Sequence, residues 1–191
     1  MEEIIEIKKH WEDRAKVNQN AVTGTTNDIY LRELEIKTFV KYLNSLGIRK
    51  NSKVLDVGCG DGYTTLNIVK YITDAHFIGI DYSANMIKNA NENLKNYPSL
   101  AENVSFKVGV AINIFDLFDL NEFDFILSDR CLINLGTSKN QYEAIEEISS
   151  LVKKGGYYLA IENFIEGQNN LTIARKHMRL SDIEVRWHNY S

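Results

Sequence analysis

Val54-Leu55-Asp56-Val57-Gly58-Cys59-Gly60-Asp61-Gly62-Tyr63 is the stretch that decides the fold of this chain. A short apolar run carrying one acidic residue reads as a buried strand, and it opens directly into glycines at every second position. The glycines permit positive φ and close approach of the backbone to a ligand, while Asp56 sets a negative charge where the strand stops. About 20 residues further on, Phe77-Ile78-Gly79-Ile80-Asp81 reads as a second strand ending in a carboxylate, the placement that a ribose diol requires. Together the two stretches mark the mouth of a nucleoside site.

The spacing also selects among nucleosides. A dinucleotide fingerprint places a third glycine five residues after its first, where helix and strand pack closely beside a pyrophosphate. Here that position is Tyr63. A pyrophosphate is repelled by Asp56, whereas the ammonium of an amino acid is attracted to it, directly or through water. The expected ligand carries a cation beside an adenosine.

S-adenosylmethionine meets that description, and the chain resembles the class I S-adenosylmethionine-dependent methyltransferases. The resemblance is carried by Val54 to Gly62, Gly79 to Met86, Phe123 to Leu135 and Leu151 to Ala160, in the family's order. It implies that Gly58, Cys59 and Gly60 hold the methionine part with Asp56 nearby. It further implies that Asp81 takes the ribose hydroxyls and that Tyr82 and Met86 lie against adenine. One position departs from the family. After the third strand an acidic residue often accepts from the adenine amino group, but this chain reads Gly109-Val110-Ala111. Main-chain groups of Val110 and Ala111, with apolar packing, are left to hold the base, with less discrimination against other purines.

The segment Ser128-Asp129-Arg130-Cys131-Leu132-Ile133-Asn134-Leu135 falls where the family lines the transferred methyl and the acceptor. By position, Arg130 grips the methionine carboxylate and Asp129 or Asn134 faces the acceptor; the alternative is a loop ion pair between Arg130 and Asp129. Candidates for a catalytic base are His188, after a short aromatic strand, Glu162, just past the fifth strand, and Asp129. Trp11, Arg14 and Thr23 to Tyr30 precede the core, and the resemblance implies that such segments fold over the cofactor. Equally, Trp11 reads as the apolar anchor of a surface helix. Cys59 at a helix start raises a thiolate reading, set below its use as a small residue.

Along the chain, Ile4, Ile7, Trp11 and Ala15 recur at helical spacing before Thr23 to Asn27 breaks the pattern. A second helix begins near Asp28, presents Leu34, Phe39, Val40, Leu43 and Leu46, and stops at Gly47. Strands over Lys53 to Val57, Phe77 to Ile80, Val104 to Val108, Phe123 to Leu127 and Tyr157 to Ile161 alternate with helices. Ser83 caps one of these helices, and Ser138 with Gln141 forms a capping box for another that ends before Gly155-Gly156. A helix around Leu171 to His177 and a strand at Ile183 to Trp187 follow. The expected fold is α/β, a doubly wound, mostly parallel sheet with helices on both faces. The resemblance makes it a single Rossmann-like methyltransferase domain, with residues 1–47 a helical cap segment and 48–191 the α/β core. The family's sheet usually closes with an antiparallel hairpin, for which only one strand has room, so the expectation is either a fold shortened at its C-terminal end or a fragment that lacks that end.

At 191 residues, 44% hydrophobic and 25% charged, the chain suits one domain with a substantial core. A net charge of -4 without long basic runs argues against a nucleic-acid partner and for a small-molecule acceptor. Two cysteines, with no Cys-x-x-Cys and no histidine at ligand spacing, point to reduced thiols, a cytoplasmic location and no metal. Neither a leader nor a membrane span is indicated by the amino terminus. The function expected is methyl transfer to oxygen or nitrogen of a small molecule. The alternatives are an RNA or protein methyltransferase and a catalytically silent S-adenosylmethionine-binding subunit; a nicotinamide-dependent oxidoreductase is disfavoured by Tyr63. Oligomeric state and the acceptor itself are not specified by the sequence.

Overall fold

Parallel strands in the order β3-β2-β1-β4-β5 form the centre of the molecule, whose computed structural model describes residues 2–17 and 23–182. The elements run α1 (Glu2–Val17), α2 (Ile29–Ser45), β1 (Lys53–Val57), α3 (Tyr63–Val69), β2 (His76–Asp81), α4 (Ala84–Lys95), β3 (Val104–Val108), β4 (Phe123–Asp129), α5 (Ser138–Leu151), β5 (Val152–Ile161) and α6 (Ile165–His177). Successive residues of β1 feed opposite cores. Val54 joins Phe39, Leu43, Leu66, Phe77 and Phe106, whereas Leu55 and Val57 join Ile126, Phe123, Ile148 and Leu151. Each such side chain, fully withdrawn from water, contributes roughly 1.5–3 kcal/mol before entropy is counted.

Helix ends follow the sequence signals in most places. Asp28 caps α2 by accepting from the Leu31 N–H at 2.9 Å, and Ser83 caps α4 through the Met86 N–H at 3.1 Å. Gly47, at φ 84°, lets the chain leave α2 while the Ile48 N–H bonds Leu43 O. Three readings are corrected. The cap of α5 is Thr137, accepting from the Asn140 N–H, because Gln141 turns inward to donate to Leu132 O. β5 begins at Val152, since Gly155-Gly156 form a bulge within it: Phe123 pairs with Val152 and Phe125 with Tyr157. The inward stripe of α2 is Arg32, Glu35, Ile36, Phe39 and Leu43, and Leu34 is 61% exposed.

α6 starts at Ile165, earlier than expected, and buries none of its residues. The strand expected at residues 183–187, and His188, lie outside the described residues. No helix among the described residues is long and apolar enough to cross a membrane. After β1 the chain builds outward through β2 and β3 and then returns to place β4 on the other side of β1. That reversal opens a crevice at the carboxyl ends of the strands.

Candidate functional site

The crevice is floored by the loop after β1. Gly58 and Gly60 adopt φ of 78° and 55°, conformations that strain any other residue. A Cβ on Gly58 would lie 2.5 Å from Cys131 Sγ, and one on Gly60 2.7 Å from Thr25 Cγ2, so the backbone itself forms the surface. The Gly58 and Cys59 N–H groups both donate to Ile80 O, at 2.8 and 2.9 Å. Gly60 N–H donates to Asp81 Oδ2 at 3.1 Å and Ser83 N–H to Asp81 Oδ1 at 2.8 Å. The loop is therefore stitched to the tip of β2.

A cavity of about 210 Å³ lies above this floor. Asp56, Gly58, Cys59 and Gly60 enter it from β1 and its loop, and Asp81, Tyr82 and Met86 from β2 and α4. Val110 and Ala111 enter from the tip of β3, and Asp129, Arg130 and Asn134 from the end of β4. Every residue expected to contact the cofactor thus shares one wall system. Arg32 on α2 also lines it and was missed by the sequence reading. Its signal was a charged residue on the same helical stripe as Ile36, Phe39 and Leu43.

Burial dominates the electrostatics. Asp56 is 3% exposed and accepts from Thr65 Oγ1 at 2.5 Å. Desolvation pushes its carboxyl up to about 7; Thr65 opposes the shift, and the charges of Asp129 and Asp81 add to it. Asp81 is raised by burial to about 6 against the pull of the Ser83 and Gly60 N–H groups. Asp129 is raised for the same reason, opposed by Arg130. Burial and the surrounding carboxylates push both the Cys59 and Cys131 thiols well above the usual range, which removes the thiolate reading and leaves Cys59 as a small packing residue.

Arg130 holds a left-handed backbone, φ 51°, uncommon outside glycine. Three anchors keep it there. Its N–H donates to Ile161 O at 2.7 Å, its C=O accepts from Asn134 Nδ2 at 2.8 Å, and its guanidinium meets both Glu35 oxygens at 3.1 Å. Asp129 Oδ1 lies 3.5 Å from Arg130 Nε, so the loop ion pair and the cavity position occur together. Glu35, buried on α2 and absent from the sequence reading, is raised to about 7 by desolvation and by Asp129, with Arg130 and Arg32 opposing. Arg32 itself pairs with Asp61 at 3.1 Å and lies 4.3 Å over the Tyr63 ring.

The amino-terminal elements roof the cavity. Trp11 Nε1–H donates to Asn134 Oδ1 at 3.1 Å, joining α1 to the loop after β4, and Tyr82 O–H reaches Ile7 O. Arg14 holds the turn that carries Thr25 by donating to Gly24 O at 2.7 Å and Thr23 O at 3.1 Å. Trp11 is thus both a helix anchor and part of the cavity wall. Glu162 is not brought to this site. Its Oε1 accepts from Ser128 Oγ and from the Cys131 and Leu132 N–H groups, each at 3.1 Å, so it holds the loop after β4 from behind. Burial raises it to about 7 while those donors pull it down.

Residues 48–184 match a family described as a methyltransferase domain. A protein of invertebrate iridescent virus 6 named as a methyltransferase is 31% identical over 173 residues, which are 89% of this chain and 58% of that one. The demethylmenaquinone methyltransferase of Staphylococcus carnosus is 31% identical over 150 residues, 77% of this chain and 58% of the relative. This chain spans about half the length of the curated relatives it matches. Among solved structures, a SAM-dependent methyltransferase from Methanosarcina mazei shares the fold with a TM-score of 0.62 at 19% identity, over 78% of this chain and 77% of that one.

Proposed function

This chain belongs to the class I S-adenosylmethionine-dependent methyltransferase family, and from that premise we propose that it binds S-adenosylmethionine and passes the methyl group to an oxygen or nitrogen of a small-molecule acceptor. The observation that carries the reading is the convergence of Asp56, Asp81 and the positive-φ glycine loop on one cavity at the reversal of strand order. The residues fit the group. The Gly58–Gly60 backbone leaves a surface that a Cβ would fill, and Asp81, holding two backbone N–H groups, keeps lone pairs for a diol. Asp56 supplies negative charge for an ammonium, and Arg130 or Arg32 supplies positive charge for a carboxylate.

When bound, the cofactor supplies a methyl group on a positively charged sulfur whose leaving group is a neutral thioether. What remains for the protein is alignment and exclusion of water. Holding reactants in near-attack geometry contributes several kcal/mol, on the order of 7 in favourable systems. The floor formed by Gly58, Cys59 and Gly60 and the roof formed by Trp11 and Asn134 serve that purpose. In this reading Asp129, which lines the cavity from the tip of β4, receives the proton when the acceptor is an alcohol or an ammonium. The demethylmenaquinone methyltransferase relative and the net charge of -4 both support a small-molecule acceptor over RNA.

A screen with methyl-labelled S-adenosylmethionine against phenols, amines and carboxylic acids, beside RNA and protein, tests this reading. Label transferred to a low-mass product is expected. Transfer confined to RNA, falling steeply with salt, or to protein contradicts the acceptor class. Tight binding without transfer to any acceptor favours a silent subunit.

A further inference from the structure

A second cavity, also of about 210 Å³, lies on the far face of the loop after β4: Leu132 turns into it, while Cys131, Ile133 and Asn134 line the cofactor crevice. One wall is α5. It lends Ser138, Gln141, Tyr142 and Ile145, which at i, i+3, i+4 and i+7 form a single helical stripe. The facing wall is Ala160 and Glu162, whose side chains leave the end of β5 on the same side. Tyr142 and Phe164 are 69% and 51% exposed and stand at the mouth. Glu162 lies deeper. Its Oε1 is spent on Ser128 Oγ and the Cys131 and Leu132 N–H groups, but its Oε2 is buried and meets no donor among the described residues. Buried Asp61 and Glu35 have Arg32 and Arg130 as counter-ions, whereas no described lysine or arginine lines this cavity.

We propose that this cavity binds a small organic ammonium ion, with its apolar part against Tyr142 and Phe164 and its N–H groups on the Glu162 carboxylate. Aromatic faces attract such a cation, and a charge-assisted bond to a desolvated carboxylate is stronger than a neutral one. An anion is repelled by Glu162, and a neutral ligand leaves its charge without a counter-ion. The first turn of α5 carries roughly half a positive charge and opposes a cation, but Thr137 already accepts from that turn and Glu162 carries a full charge. The carboxylate wins. The two cavities share no lining residue, so the inference stands apart from the S-adenosylmethionine reading.

Titration calorimetry of the full chain with benzylamine, protonated at neutral pH, and with benzyl alcohol tests this. Saturable binding of benzylamine with a Kd of about 1 mM or tighter is expected, with benzyl alcohol at least about 10-fold weaker. Glu162→Gln keeps an oxygen for the Ser128, Cys131 and Leu132 donors, and is expected to weaken benzylamine about 10-fold while hardly changing the alcohol. Tyr142→Ala, at an exposed position, is expected to weaken benzylamine about 3-fold and serves if Glu162→Gln does not fold. No saturable binding of benzylamine, equal affinity for the alcohol, or an affinity unmoved in the folded variants overturns the proposal. So does displacement of benzylamine by saturating S-adenosylhomocysteine with Glu162→Gln without effect, which places the amine among Asp56, Asp81 and Asp129 instead.

Discussion

The backbone N–H of Gly60 donates to Asp81 Oδ2 at 3.1 Å, so the glycine loop after β1 and the carboxylate at the tip of β2 form one unit. The two features that identify a nucleoside pocket are therefore mechanically coupled. A change in the loop propagates to the carboxylate, and the reverse.

Gly58→Ala tests the loop. The substitution forces a side chain into φ 78° and sets its Cβ 2.5 Å from Cys131 Sγ. A loss of roughly 1–3 kcal/mol in urea unfolding is expected, together with loss of cofactor binding. Adding Cys131→Ala removes the Sγ overlap but leaves the Cβ of residue 131 at 2.7 Å and the backbone strain in place, so stability should recover only in part. Full recovery would show that φ at this position is unimportant.

Asp56 makes a signed pH prediction. Its folded carboxyl is raised to about 7 against an ordinary unfolded value near 3.8. Folding therefore favours the protonated form, and the stability this contributes is complete below about pH 4 and lost as pH rises through 7. Asp56→Asn should flatten the stability curve between pH 5 and 8 and exceed wild type at pH 8 in thermal unfolding. Binding has the opposite sign. A cationic ligand prefers ionised Asp56, so affinity for S-adenosylmethionine should rise from pH 5.5 to 8, with proton release seen as a buffer-dependent binding enthalpy. Affinity that falls over this range removes Asp56 from the cation's surroundings.

Arg130 separates structural from ligand roles. Arg130→Ala leaves the Glu35 and Asp129 carboxyls buried without their shared guanidinium, at a cost of about 3–5 kcal/mol. Adding Glu35→Gln removes one of the stranded charges. The double variant should regain at least half of the lost stability in denaturant titration and none of the lost cofactor affinity. If affinity returns with stability, Arg130 acts only as a brace.

The tips of β1 to β4 were legible because each of these strands ends at an aspartate or is followed directly by a glycine, as in Val54 to Val57 and Phe77 to Asp81. The cavity residues followed from those tips together with the family resemblance. Arg32 and Glu35 were not read because charged residues on a helix usually face water, and here each turns inward to an ion-pair partner, Arg32 to Asp61 and Glu35 to Arg130. Their place on the stripe with Ile36, Phe39 and Leu43 was the available signal. Glu162 stood beside the correct strand end, but successive residues leave a strand on opposite sides, and Asn163 is the one that faces the cavity. The cap of α5 was misplaced by one residue because Thr137 and Ser138 are chemically alike and only Gln141's buried bond to Leu132 O distinguishes them.

The measurement that bears most directly on the account is calorimetric titration of S-adenosylmethionine into the wild type and Asp81→Ala, with folding of both checked by circular dichroism. Saturable binding by the wild type and a loss of about 30-fold or more in the variant are predicted, since Asp81 serves both the diol and the Gly60 N–H. Absence of binding to the folded wild type, or equal affinity in the two proteins, would contradict it.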